Sequence, residues 1–369
     1  MSGGDRAGAI DMDLQLLETM LADRGEPRFR ARQVWAWAAR GASGYEEMTN
    51  LPAELRAALT RELPFSSLHL REQLHAHDGT VKALFTTSDG RPLEAVLMRY
   101  RNPPGGGNPP GAGAGRRSIC VSSQSGCPLT CTFCATGQMR FARNLTVSEI
   151  VEQALHFRRI EAIDHCVFMG MGEPMLNLDN VLAACERLPD IGITHRRTTI
   201  STVGWIPGIE RLAECELPLR LALSLHAGEE ALRSQLMPVN ERYPLSDVLD
   251  ACRAFYERKR RRVFVEYVML AGVNDRYEQA LTLAHALRGP REDAPPIFKV
   301  NLIPYNPTDS GDGAPFAGSS RESIAAFRAA LESRGVPVTV RLTRGREIAA
   351  ACGQLAAGQP GPRLGAAPA

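Results

Sequence analysis

Three cysteines stand close together in the run Cys127-Pro-Leu-Thr-Cys131-Thr-Phe-Cys134. A C-x3-C-x2-C spacing on a loop lets three thiolates wrap one metal centre. A structural zinc ion takes four protein ligands, so zinc here needs a distant His or Cys to complete it. Ferredoxin clusters are held by four cysteines, and the next one along, Cys166, stands far off on an expected strand. Three thiolates on a [4Fe–4S] cluster leave one iron a ligand short, and an open position binds something. Both readings start from this triplet, and the ligand count favours the second.

Other reactive residue types are scattered. Gly172 and Glu173 lie in Met169-Gly-Met-Gly-Glu-Pro174, Ser201 ends an apolar run, Ser224-Leu225-His226 follows another, and Asn306 ends Asn301-Leu-Ile-Pro-Tyr-Asn306. Taken alone, His226 reads as a satisfied core histidine. Cys120 and Cys352, taken alone, read as small buried hydrophobes, as do Cys166, Cys185, Cys215 and Cys252. Glu94, in Leu93-Glu-Ala-Val-Leu-Met98, reads as a solvent-facing residue of a hairpin strand.

The elements that must position these residues follow from periodicity. From Ser118 onward, short β-branched or apolar runs alternate with helical patterns. Expected strands are Ile119–Ser122, Cys166–Met169, Arg197–Ser201, Leu219–Leu225, Val263–Leu270, Phe298–Ile303 and Val338–Leu342. Expected helices lie near 147–161, 179–188, 207–215, 246–260, 276–288 and 321–334. Thr146…Glu149 and Ser319…Glu322 have the form of capping boxes. Such repetition implies an α/β fold with a parallel sheet, open or closed into a barrel, whose reactive residues sit at the carboxyl ends of strands. Residues 1–67 read as a small helical accessory domain whose Arg–aromatic mixture suits RNA binding, with Trp35 and Trp37 themselves reading as core residues. Residues 68–115 read as a β hairpin linker, Val81–Thr86 and Leu93–Met98 about the turn 88–91, followed by a flexible Gly/Pro loop. Residues 116–355 form the core, and the Gly/Pro/Ala tail 356–369 reads as disordered.

C-x3-C-x2-C at the first strand of a β/α core resembles the radical-SAM superfamily. Val121-Ser-Ser-Gln-Ser-Gly-Cys127, Met169-Gly-Met-Gly-Glu-Pro174, Ser224-Leu-His226, Asn301–Asn306 and Arg344-Gly-Arg-Glu-Ile-Ala-Ala-Ala-Cys352-Gly-Gln-Leu355 resemble the RlmN/Cfr family of ribosomal RNA methyltransferases, over roughly residues 28–355 and closer to the RlmN branch. The resemblance implies a partial (β/α)6 barrel. It implies a [4Fe–4S] cluster on Cys127, Cys131 and Cys134, and S-adenosyl-L-methionine (SAM) held by Gly172, Glu173, Ser201, Ser224, Leu225, His226 and Asn306, with Glu173 meeting the SAM amino group. It implies Cys352 as methyl carrier, Cys120 as its resolving partner and Glu94 as proton acceptor.

The implied reaction is methylation of carbon 2 of an adenosine in 23S ribosomal RNA, and in transfer RNA beside the anticodon. That carbon lies between two ring nitrogens and is electron-poor, so an electrophilic methyl group has nothing to react with and radical chemistry is needed. In the implied ping-pong sequence Cys352 takes a methyl from one SAM. A second SAM supplies the radical that activates the S-methyl group, which adds to the ring. Loss of the ring proton and attack by Cys120 then free the base and leave a Cys120–Cys352 disulfide. An electron donor such as flavodoxin or ferredoxin and a monomeric chain complete the expectation. Alternatives are carbon-8 methylation in the manner of the Cfr branch, or an iron–sulfur RNA-binding protein without catalysis; a glycyl-radical activase has no use for Ala351-Cys-Gly-Gln354.

Composition restricts partners without naming them. The chain has 43 basic and 41 acidic residues, a net of +2, so any nucleic-acid surface must be a local patch. Only Lys82, Lys259 and Lys299 are lysines; the remaining cations are arginines, suited to bidentate phosphate contacts. Arg116-Arg117, Arg196-Arg197 and Arg258-Lys-Arg-Arg-Arg262 are the candidate contacts. The beginning of the sequence lacks a signal-peptide pattern, and no run of 18 apolar residues exists, so a cytoplasmic protein away from membranes is expected. Nine cysteines in that compartment are not a disulfide scaffold.

Overall fold

The structure is a computed structural model and describes residues 14–101, 115–289, 295–307, 316–351 and 353–355. The Gly/Pro loop, the tail from Ala356 and Cys352 itself lie outside the described residues. Among the described residues no helix is long and apolar enough to cross a membrane.

Three helices open the chain: α1 (Leu14–Asp23), α2 (Phe29–Arg40) and α3 (Ala53–Glu62). They close over their own apolar cluster, including Leu17, Val34, Tyr45, Met48, Leu55 and Leu59. Both tryptophans are part-buried, as core packing requires, with each indole N–H matched: Trp35 Nε1 donates to Asp190 Oδ2 at 2.7 Å and Trp37 Nε1 to Asn50 Oδ1 at 2.7 Å.

Next come β1 (Leu68–His75), β2 (Val81–Thr87), β3 (Pro92–Arg101), β4 (Gly115–Cys120), and two short strands, β5 (Gln124–Ser125) and β6 (Arg143–Asn144), paired with each other. The expected hairpin is β2–β3 about residues 88–91. It is more than a linker: β1 pairs with β2, and β3 pairs antiparallel with β4, so the three strands extend the core sheet.

The core proper alternates α4 (Val147–Ile160), β7 (His165–Phe168), α5 (Leu178–Ile191), β8 (Thr198–Thr202), α6 (Ile206–Glu214), β9 (Arg220–Ser224), α7 (Glu230–Leu236), α8 (Leu245–Lys259), β10 (Val263–Met269), α9 (Tyr277–Arg288), β11 (Phe298–Pro304), α10 (Arg321–Ser333) and β12 (Val338–Val340). The sheet runs β1-β2-β3-β4-β7-β8-β9-β10-β11-β12, and every neighbouring pair from β4 onward is parallel. Its two edge strands do not pair with each other, yet residues from β7 to just past β12 line a single cavity. The sheet is therefore curled into an open, partial β/α barrel with helices packed outside.

Two local expectations change. Thr146 and Glu149 do form a capping box at the start of α4. At α10 the cap is Ser320, whose Oγ accepts from Ser323 N at 3.1 Å, so the Ser319…Glu322 box is not made. Helix α7 falls in a stretch with no expected element; at seven residues it is too short for periodicity to reveal.

Candidate active site

The loop after β4 carries the cysteine triplet, and its entry is clamped on several sides. Gln153 of α4 takes both backbone groups of Ser122: Oε1 accepts from Ser122 N at 2.7 Å, and Nε2 donates to Ser122 O at 3.0 Å. This ends the β4 ladder before Ser122. Gln124 Oε1 accepts from Glu173 N at 2.8 Å, tying the triplet loop to the loop after β7. Gly126, immediately before Cys127, has φ +74°, and a Cβ there would stand 2.4 Å from Arg140 O; only glycine fits this turn.

Cys127, Cys131 and Cys134 line one cavity of about 150 Å3 with Gly172, Glu173, Ser201, Ser224 and His226. These come from the carboxyl ends of β7, β8 and β9, as the strand–helix pattern requires. Burial, together with the nearby Cys134 and Glu173 charges, pushes the Cys127 thiol up to about 12, and burial holds the Cys131 thiol well above its ordinary value. Buried thiols that ionise this reluctantly become thiolates when iron is bound to them. Among the described residues no group of three or more His, Cys, Asp or Glu is arranged to hold a single metal ion.

Glu173 is buried, and among the described residues no cation pairs with it. Its Oε1 accepts from Met175 N at 3.1 Å and its Oε2 from Val203 N at 3.0 Å. Burial nevertheless pushes its pKa up to about 7. A ligand ammonium would match this carboxylate. Burial and, less strongly, Arg233 push His226 down to about 3, so its ring is neutral. His226 Nδ1 accepts from Val268 N at 3.0 Å, which assigns the proton to Nε2. The ring meets Phe133 of the triplet loop edge-on, centroids 4.6 Å apart. Ser201 Oγ and Ser224 Oγ are 3.3 Å apart. Leu225 is placed differently: its side chain packs in the main core, and its N–H is bound to Glu266 O at 3.0 Å.

A smaller, adjoining cavity of about 50 Å3 holds Cys120, Asn306, Met98, Tyr100, Ala351 and Leu355 among its walls. Met169, Ile303 and Arg341 line both cavities. The C-terminal segment reaches the triplet loop directly: Ala135 N donates to Gly353 O at 2.8 Å, and Thr136 Oγ1 to Leu355 O at 2.6 Å. Ala351 thus borders the Cys120 cavity while Gly353 borders the triplet's cavity, on either side of position 352.

Glu94 is 2 % exposed, contrary to the solvent-facing reading. Register places Cys120 opposite Val96, so Glu94, two residues before Val96, shares a sheet face with Cys120. Lys82 Nζ approaches Glu94 Oε1 at 3.1 Å and donates to Ala349 O at 3.3 Å.

Sequence reasoning passed over four residues. Lys82 is one of three lysines in an arginine-rich chain, a signal that was available. Glu266 is a lone carboxylate inside the apolar run of β10, and it pairs with Arg341 at 3.4 Å on the cavity wall. Arg233 of α7 is fully buried and bonds Asn240 and the carbonyl of Val203, whose N–H holds Glu173. Arg233 and Arg341 left no local signal.

Fold and site together define a radical-SAM enzyme. Residues 121–284 match the radical SAM superfamily model, and residues 9–63 match the model of the ribosomal RNA large subunit methyltransferase N-terminal domain. The chain is 44 % identical over 361 residues to a probable dual-specificity RNA methyltransferase RlmN of Chloroflexus aurantiacus, covering 94 % of this chain and 92 % of that one. It is 42 % identical over 363 residues to its Thermus thermophilus counterpart, covering 96 % and 95 %. A crystal structure of a radical SAM methyltransferase from Sphaerobacter thermophilus superposes with a TM-score of 0.82 at 42 % identity, covering 94 % and 98 %. The chain belongs to the RlmN family of radical-SAM RNA methyltransferases, which work with a [4Fe–4S] cluster and SAM.

Proposed function

We propose that this chain methylates carbon 2 of an adenosine in 23S ribosomal RNA, and in transfer RNA beside the anticodon, with Cys352 carrying the methyl group and Cys120 resolving the adduct. The observation that carries this reading is the union of the C-terminal segment with the triplet loop: Ala135 is bonded to Gly353, while Cys120 and Ala351 line one cavity. Thiols beyond the triplet serve a carrier mechanism and have no use in simple RNA binding.

Cys127, Cys131 and Cys134 would hold the cluster, which with SAM supplies the one-electron chemistry that carbon 2 demands. Glu173 offers its carboxylate to the SAM ammonium, and Gly172 lets the backbone turn beside it. Ser201, Ser224 and the neutral His226 present donors around the same space, and Asn306 presents its amide from the adjoining cavity; Leu225 contributes through the backbone turn it shares with His226. Glu94 accepts the proton lost from the ring carbon, and Lys82 holds its carboxylate in place. Cys120, as thiolate, would attack the Cys352 sulfur: the S–S bond forms, the bond from that sulfur to the substrate's methylene carbon breaks with its electron pair passing to the base, the methylene carbon takes up a proton to become the methyl group, and the methylated base leaves. Two electrons and two protons from a thiol reductant return both cysteines to thiols. The same reading includes a small one-electron donor such as flavodoxin or ferredoxin and a monomeric chain.

Nucleoside mass spectrometry of 23S and transfer RNA from cells with and without this protein tests the reading. The expected product is 2-methyladenosine in both RNAs. Its replacement by 8-methyladenosine would assign the carbon-8 reaction, and no change in either nucleoside would remove the function.

A further inference from the structure

Arginines from four places far apart in sequence meet at one end of the sheet's strands. Arg116 and Arg117 open β4, Arg196 and Arg197 precede β8, Arg220 opens β9, and Arg261 and Arg262 precede β10. The register aligns these entries: Ser118 pairs with His165, Cys166 with Thr198, Thr199 with Arg220, and Ala222 with Phe264. The arginines therefore line the amino ends of four strands. The cysteine triplet and both cavities lie at the carboxyl ends.

Few acids answer this charge. Glu161 is taken by Arg99 and Arg117, and Asp164 by His165, with Arg197 at 3.9 Å. Among the described residues, Arg116, Arg196, Arg220 and Arg261 have no carboxylate within salt-bridge distance. Arg116 and Arg196 are exposed, and the Arg116 guanidinium lies 4.1 Å over the Tyr100 ring. Burial lowers the Arg220 pKa, and Arg116 and Arg197 lower it further. Arg261 is depressed in the same way by burial and then by Arg196 and Arg220. Cations held this close are relieved by an anion of high charge density. The chain's net charge is only +2, so this concentration is a matter of placement.

We infer that this rim is a second RNA-binding surface, which grips the phosphodiester backbone of a folded RNA at a point remote from the target base. Planar guanidinium groups fit phosphate oxygens bidentately, and a row along a sheet edge matches a repeating polyanion better than a single small anion. An acidic electron donor would instead approach the cysteine triplet, at the other end of the sheet. The inference rests on RNA being the substrate.

The test is fluorescence anisotropy of a labelled transfer-RNA transcript with the cluster-loaded protein over a KCl series. The variant R116Q/R196Q/R220Q/R261Q should bind roughly tenfold more weakly near 0.15 M salt. Its slope of log K against log[KCl] should be shallower by about 3, the value for four lost phosphate contacts. Its kcat at saturating RNA should stay at the wild-type value. The matching lysine variant should keep most of the slope. A glutamine variant with wild-type affinity and slope overturns the inference, as does one that binds RNA normally but is reduced slowly by an acidic donor. If the glutamine variant does not fold, phenylglyoxal modification of the unaltered protein decides: bound RNA should protect Arg196 and Arg220, and equal modification with and without RNA overturns the inference. Wild-type protein that binds no RNA counts instead against RNA as substrate.

Discussion

Lys82 Nζ lies 3.1 Å from Glu94 Oε1, and the two side chains are 11 % and 2 % exposed. They sit on the sheet face that carries Cys120, and Lys82 also reaches Ala349, three residues before Cys352, the proposed carrier. Removing one member of a buried ion pair costs about 3–5 kcal/mol when burial is complete. Lys82→Met should therefore lose about 2–4 kcal/mol in denaturant unfolding. The double variant Lys82→Met/Glu94→Gln should regain much of that stability and still fail to methylate. Glu94→Gln with wild-type turnover would remove Glu94 as proton acceptor.

The triplet and the packing cysteines should separate cleanly by iron content. Cys127→Ala, Cys131→Ala and Cys134→Ala should each lose the [4Fe–4S] absorption after anaerobic reconstitution. Cys185→Ala and Cys252→Ala, both in buried packing positions, should keep it. Stoichiometric zinc without iron in the wild-type protein would contradict the cluster assignment.

The two thiols outside the triplet should fail in different ways. Cys352→Ala should keep its cluster and lose methylation. Cys120→Ala should accumulate protein covalently joined to RNA, visible as a shifted band on denaturing gels, because the adduct forms and is not resolved. Free protein and free RNA at normal turnover would exclude Cys120 from the reaction.

His156 should make the fold acid-sensitive. It lies between the rings of Phe85 and Phe157 and bonds Gln73 at 2.9 Å. Burial, with Arg159 adding to it, pushes its pKa down to about 4, whereas an unfolded histidine titrates near 6.5. Between these values the unfolded chain binds more protons than the folded one, so stability rises with pH and is lost as pH falls through that window. From pH 7.5 to pH 5 the wild type should lose about 1–2 kcal/mol more than His156→Gln, measured by denaturant unfolding at each pH. Parallel losses would show that His156 titrates normally in the fold.

The strand–helix order was legible because each core strand is an apolar run between amphipathic helices. The boundaries expected from periodicity agree with β7 to β11 and with α4 to α6 and α8 to α10 to within a few residues. Helix α7 escaped because seven residues hold too few turns for a period to show. The pairing of β3 with β4 escaped because the intervening Gly/Pro loop hides a long-range ladder. Glu94 was misjudged as exposed: alternation identifies a strand's two faces but does not tell which of them another segment covers.

By itself the sequence determined the chemistry that was possible, since ligand count, spacing and flanking motifs are local properties of the chain. Three thiols in one loop can leave a metal centre a ligand short wherever that loop lies. Only the tertiary structure decided what stands beside what. It joined Gly353 to Ala135 across the whole core, buried Glu94 against Lys82, and drew separate arginine stretches to one rim. Those relationships depend on strand register and the curl of the sheet, which come from packing the entire chain and are written in no single segment of it.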